Sequence, residues 1–73
     1  MARIDQELRI FRSGREEGTT QANVDGDDSR AMEALLRGWL RTSSWGPSTW
    51  GDFTIVSYEP RRREVRLSRG AEV

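Results

Sequence analysis

The side chains that could carry chemistry in this chain are carboxylates, arginines and tryptophans, because it contains neither histidine nor cysteine. Histidine is the usual general base, and histidine and thiolate are the usual zinc ligands. The chain therefore lacks the residue types that most often provide general-base catalysis and zinc binding. Two carboxylates could serve as acid and base, but 73 residues leave little room for a cleft that excludes water. We therefore expect no enzymatic activity, no metal site and no cofactor.

Aspartates cluster at Asp25, Asp27 and Asp28. They do not match the calcium loop of an EF-hand, because Gly26 comes too early and the twelfth position is Leu36 instead of glutamate. Aspartate just ahead of a run with helical spacing is typical of an N-cap, where the carboxylate accepts hydrogen bonds from the first free amides. The cluster therefore predicts the start of a helix.

Three consecutive arginines, Arg61, Arg62 and Arg63, concentrate positive charge in one short segment. With nearby aromatic rings, they could bind single-stranded nucleic acid through phosphate contacts and base stacking. However, twelve basic residues balance twelve acidic ones, so no net field attracts a polyanion. Nucleic-acid binding through these arginines and the loop tryptophans is therefore the second hypothesis, and a solvated hairpin turn is the structural alternative.

Three tryptophans exceed what a core of this size needs, and only Trp39 shares the spacing of the helix. Trp45 and Trp50 fall in a stretch of serine, glycine and proline that predicts a loop. One interpretation is that they fold back and cap the core. The other is that at least one stays exposed as an anchor, since tryptophan, tyrosine and arginine dominate binding hot spots.

The first half of the chain predicts two strands. From Ile4 to Arg12, Leu8 and Ile10 share one face while charged residues occupy the other, as in a half-buried strand. Residues 13–18 are polar and glycine-containing, which predicts a hairpin loop. Residues 19–25 are weakly apolar on one face, which is typical of an edge strand.

The second half predicts one helix and two more strands. The helix starts at Asp27, Asp28 or Ser29 and ends before residue 43. Its buried stripe has the i, i+3, i+4, i+7 spacing and consists of Met32, Leu35, Leu36, Trp39 and Leu40. Residues 52–58 are the most β-prone stretch, and residues 64–69 alternate apolar with charged side chains.

This order predicts a single α+β domain over residues 1–73, frayed at 70–73, with a ββαββ fold. One helix would pack across one face of a four-stranded sheet, an arrangement that resembles the β-grasp topology. We expect the first and last strands to pair in parallel at the centre, because both alternate cleanly. Glu7 and Arg9 could then pair across strands with Glu64 and Arg66.

A one-helix, one-sheet fold leaves the outer face of the sheet, the face turned away from the helix, without a covering layer. In the third strand, Val56 and Tyr58 alternate with the core residues, and Phe11 interrupts the polar side of the first strand. An apolar patch on this face would suggest a partner protein or a homodimer. Scattered exposed apolar residues without significance are the alternative.

We therefore expect a non-enzymatic interaction module: an accessory or inhibitory protein of a bacterium, phage or mobile element. It would bind a larger protein through the aromatic loop and the outer face. The predicted contact residues are Phe11, Trp45, Trp50, Val56, Tyr58, Arg61, Arg62 and Arg63. A structural subunit of a homo-oligomer or virion is a third hypothesis. No apolar run is long enough for a membrane span or signal peptide, so we expect a cytoplasmic protein.

Overall fold

A computed structural model describes residues 3–67 of the chain. Its elements are β1 (Ile4–Arg12), β2 (Arg15–Val24), α1 (Ser29–Arg41), a 3₁₀ helix (Pro47–Asp52), β3 (Phe53–Ser57) and β4 (Arg63–Arg66). The predicted α+β class and ββαββ order are confirmed. The fraying predicted for residues 70–73 lies outside the described residues.

The strand order is β2-β1-β3-β4, and all neighbouring strands are antiparallel. The prediction that the first and last strands pair at the centre is wrong, because β3 lies between β1 and β4. The expected charge pairs between those two strands are therefore not formed. Arg9 instead makes an ion pair of 3.3 Å with Glu16 on β2.

The central position of β3 follows from its sequence. Phe53, Ile55 and Val56 are all buried, so this strand has apolar residues on both faces. A central position favours this, because side chains from both flanking strands can cover Val56 on the outer face. β4 has only four residues, and three of them are charged. A short charged strand is better suited to a sheet edge, where it discourages further pairing.

The hairpin between β1 and β2 is tighter than predicted. Its turn consists of Ser13 and Gly14 alone, both with positive φ (52° and 82°). A two-residue hairpin turn with positive φ at both positions is the type that matches the twist of the flanking strands. β2 therefore begins at Arg15, and residues 18–24 pair with β1 in regular register until a β-bulge near the turn.

The core lies between α1 and the inner face of the sheet. From the helix, Met32, Leu36 and Leu40 are fully buried, while Leu35 and Trp39 are half-buried against the same cluster. The predicted stripe is therefore confirmed. The sheet contributes Leu8, Ile10, Val24, Phe53, Ile55 and Val65, and Leu67 joins them just after β4. No helix among the described residues is long and apolar enough to cross a membrane.

The helix start confirms the N-cap interpretation. Asp28 is the N-cap residue, and its Oδ1 accepts a hydrogen bond of 3.2 Å from the backbone N–H of Ala31. We expect Asp28→Ala to lower the free energy of unfolding by about 1 kcal/mol, the usual cost of losing an N-cap. Ser29→Ala, at the next exposed position, is the control and should change it by less than about 0.5 kcal/mol. Urea denaturation of both variants checks this, and equal effects would contradict it.

Gln6 joins three parts of the backbone on the helix side of the sheet. Its Nε2 donates to the carbonyl oxygens of Val24 (3.1 Å) and Glu59 (3.2 Å). Its Oε1 accepts from the backbone N–H groups of Tyr58 (3.1 Å) and Glu59 (3.3 Å). One buried side chain thus connects the ends of β2 and β3 to β1.

The same junction requires glycine at position 26. The N–H of Gly26 donates to the carbonyl oxygen of Glu59 at 3.1 Å. A Cβ on Gly26 would collide with that oxygen and with the hydroxyl of Ser57. The chain entering α1 therefore packs directly against the connection between β3 and β4.

Candidate functional site

Trp50 belongs to the core, so its predicted role as an exposed anchor is wrong. The 3₁₀ helix turns its side chain inward, and only 7% of it is exposed. Its Nε1 donates to the carbonyl oxygen of Trp45 at 3.3 Å, which satisfies the polar end of the indole. The interpretation that the loop tryptophans cap the core is correct for this residue.

Trp45 also packs inward and is half-buried. Its ring meets Phe53 edge-on at 5.3 Å between centroids, and the guanidinium of Arg12 lies 4.6 Å from its centroid. Both contacts have the geometry of stabilising aromatic interactions. Trp39 also packs against Phe53, with 6.3 Å between the ring centroids. The aromatic loop is therefore held against the core and does not project as a binding arm.

The arginines at residues 61–63 do not form a free cationic tip. Arg61 and Arg63 both donate through Nη1 to Oδ1 of Asp27, at 3.4 and 3.2 Å. Arg62 turns the other way and pairs with Glu64 at 3.0 Å. Two carboxylates thus contact all three arginines, and Asp27 ties the β3–β4 connection to the start of α1.

The centre of the outer face, at Val56, is covered by neighbouring side chains. Val56 points away from the helix, yet it is only 1% exposed, so its predicted role as an exposed anchor is also wrong. Its cross-strand neighbours are Arg9 on β1 and Glu64 on β4. Long side chains on both flanking strands cover a central valine, which buries its methyl groups without a second layer of structure.

Beside Val56 the outer face is concave. A depression of about 340 Å³ opens between the β1–β2 turn, the end of the 3₁₀ helix and β4. Phe11, Thr54 and Arg66 form one cross-strand row within it, and Phe11 and Thr54 are half-buried. The remaining lining residues are Ser13, Gly14, Gly51, Asp52, Val56, Arg62 and Glu64.

The depression combines the half-buried ring of Phe11 with a balanced charged rim. Arg62 and Glu64 neutralise each other on its border, with side-chain exposures of 60% and 51%. Arg66 and Asp52 stand on the rim without an ion-pair partner among residues 3–67. The site thus offers apolar contact flanked by one free cation and one free anion. That arrangement suits a protein surface better than a polyanion.

Tyr58 directly follows β3 and remains an exposed anchor candidate, because 41% of it is accessible to solvent. Its backbone N–H is fixed by the buried amide of Gln6. Because the backbone beneath the exposed ring is already fixed, less conformational entropy would be lost on binding. Of the predicted contact residues, Phe11, Tyr58 and Arg62 are therefore accessible on or beside the outer face.

Several residues of the site were not predicted. Thr54 and Asp52 line the depression and were not singled out from the sequence. Glu64 and Arg66 were expected to point outward, but as partners of Glu7 and Arg9; in the structure β4 pairs with β3, so they line the depression instead. The missing information was strand order and not residue type.

Within residues 3–67, no group of three or more carboxylates is placed to hold a metal ion. Comparisons with protein-family models, curated proteins and solved structures find no match to this chain. A functional interpretation therefore depends on the geometry of the chain alone.

Proposed function

We propose that this chain is a non-enzymatic interaction module that binds a larger protein through the outer face of its sheet. The observation that carries the proposal is the uncovered depression above Val56, with half-buried Phe11 on its floor. Sheet faces that remain open in a single domain usually stay polar. Here a concave surface that exposes part of Phe11 is bordered by charges, which resembles a binding patch with a polar rim.

The expected occupant is a protein segment that presents an apolar side chain to Phe11. An acidic group on one side would meet Arg66, and a basic group on the other would meet Asp52. Pairing of these two charges fixes the orientation of the partner more than it adds affinity. Nucleic acid is a poorer fit, because the rim has no excess of positive charge and residues 61–63 are already paired.

A photo-crosslinking residue at Arg66, on the rim, is the first test in a lysate of the organism that encodes the chain. We expect one protein to be crosslinked reproducibly from this position and none from Ser44, which is exposed in the loop after α1. Binding of the purified partner is then measured by calorimetry. Phe11→Asp should weaken it by at least about 30-fold, the effect of losing a hot spot of about 2 kcal/mol.

Ser44→Asp is the matched control, since it adds the same charge at an exposed position away from the depression. It should leave the affinity within a factor of about two, because distant surface charges mainly alter association rates. Equal weakening by both variants would contradict the proposal. Crosslinks to nucleic acid, or crosslinks from Ser44 alone, would also contradict it.

A further inference from the structure

The β3–β4 connection, residues 58–62, carries two of the accessible contact candidates. Tyr58 lies at its start, and Arg62 lies at its end, where it lines the depression on the outer face. The pairing of β3 with β4 stops at Ser57 and Arg63, so strand pairing fixes neither candidate. Their placement therefore depends on the contacts that hold the connection.

The start of the connection is held by hydrogen bonds from two other parts of the chain. Oε1 of Gln6 accepts from the backbone N–H groups of Tyr58 and Glu59. The N–H of Gly26 donates to the carbonyl oxygen of Glu59. These contacts act on residues 58 and 59, so the end of the connection needs a contact of its own.

Asp27 supplies that contact. Its Oδ1 accepts from Nη1 of Arg61 at 3.4 Å and from Nη1 of Arg63 at 3.2 Å. One carboxylate thus binds the arginines on either side of Arg62. The side chain of Asp27 is only 27% exposed, and salt screens partly buried ion pairs less than it screens pairs at the surface.

Asp27 is itself fixed in position and does not cap the helix. Its backbone N–H donates to Oδ1 of Asp25 at 2.9 Å, and Asp25 is buried. Asp28 provides the N-cap hydrogen bond of α1. The three aspartates therefore make separate contacts, and it is the carboxylate of Asp27 that contacts the arginines.

The three arginines have the same chemistry, but they have different partners. We propose that Asp27 is a positioning residue for the outer face. It holds Arg61 and Arg63 toward the start of α1, which fixes the end of the connection. Arg62 is thereby kept beside Glu64, on the border of the depression. This role rests on the proposed function, because it matters for binding only if a partner occupies the outer face.

Relaxation of backbone ¹⁵N nuclei in the chain alone tests this role without any partner. Asp27→Asn removes the charge and keeps the shape, so the order parameters at Arg61 and Arg62 should fall from about 0.85 to below about 0.6. Residues 58 and 59 should keep their order, because Gln6 still holds them. Asp27→Glu restores the charge and should recover the order at both arginines.

Affinity for the purified partner is the second measurement. Asp27→Asn should raise the dissociation constant about three- to tenfold, because binding then selects the fraction of molecules in which the connection is in place. Asp27→Glu should recover the affinity. Asp28→Ala is the matched control, since it removes the neighbouring aspartate and its helix cap but should leave the affinity within a factor of about two. A purely structural effect would instead follow the free energy of unfolding.

Unchanged order at Arg61 and Arg62 in Asp27→Asn would overturn the proposal, and so would equal losses of affinity in Asp27→Asn and Asp28→Ala. Lost order with unchanged affinity would also overturn it, because the connection would then take no part in binding. A chain that binds no partner through the outer face would refute the proposed function. The relaxation data would still show whether Asp27 orders the connection, so the two failures are distinguishable.

Discussion

Phe53→Ala is expected to lower the free energy of unfolding by about 3–5 kcal/mol, the usual cost of removing a fully buried phenylalanine. The ring of Phe53 packs against both Trp39 and Trp45, and it is completely buried. Its removal therefore leaves a cavity that neither α1 nor the loop can fill alone. A domain of 73 residues has a total stability of about 4–11 kcal/mol, so the variant should be close to unfolding.

Thermal unfolding followed by circular dichroism measures this effect, and the melting temperature should fall by more than about 12 °C. Phe11→Ala is the matched control, because Phe11 is the other phenylalanine and lies half-buried on the outer face. It should cost about 1 kcal/mol or less. Equal costs for the two variants would mean that the aromatic loop does not rest on the core as described.

Gln6→Ala is expected to lower the free energy of unfolding by about 2–4 kcal/mol. The truncation leaves the N–H groups of Tyr58 and Glu59, and the carbonyl oxygen of Val24, without the partner that Gln6 provides. A buried polar group left unsatisfied costs about 1–3 kcal/mol, and water that enters the gap recovers part of this. The loss should therefore be large for a polar residue on a strand.

Gln21→Ala is the control, because the second glutamine of the chain is exposed on β2. Its free energy of unfolding should change by less than about 0.5 kcal/mol. Hydrogen exchange adds a local measurement, since Gln6→Ala should accelerate exchange at the amides of Tyr58 and Glu59 before global unfolding. A stability loss of less than about 1 kcal/mol would contradict the role assigned to Gln6.

The pattern of strands and helix was predictable from sequence because periodicity identifies elements locally. Strand order was not, because alternation shows which face of a strand is apolar but not which strands lie beside it. The two-sided apolar pattern of Phe53, Ile55 and Val56 was compatible with more than one position in the sheet. It was interpreted as a partner-binding patch, whereas the structure shows that the central position of β3 accounts for the burial of Val56.

Whether Trp45 and Trp50 point outward or into the core could not be predicted from composition. A serine- and glycine-rich loop permits an indole to point outward or inward, and only the local backbone decides between them. The 3₁₀ helix at Pro47–Asp52 turns Trp50 into the core, where its Nε1 finds the carbonyl of Trp45. The local sequence does not indicate that these residues come into contact.

Gln6 could have been identified as a special position. It shares the alternation of Leu8 and Ile10, so its side chain must point to the helix side of the sheet. A polar residue on an apolar face needs partners, and buried amides usually find them in the backbone. The partners themselves, on the connection between β3 and β4, lie more than fifty residues away and could not be inferred.

We propose that the surfaces of this small domain have separate roles. The helix and its aromatic loop stabilise the fold, and the outer face is proposed to bind a partner protein. The methyl group of Thr54 reports on the outer face, and those of Ala34 and Leu35 report on the helix side. Each surface therefore has its own methyl groups at which contact with a partner can be measured.

Methyl cross-saturation from the purified partner into the isotopically labelled chain is the most direct test of this claim. We predict transfer to Thr54, and no transfer from the partner to Ala34 or Leu35. Transfer that reaches Ala34 and Leu35 while sparing Thr54 would contradict the claim, because the partner would then lie on the helix side of the sheet.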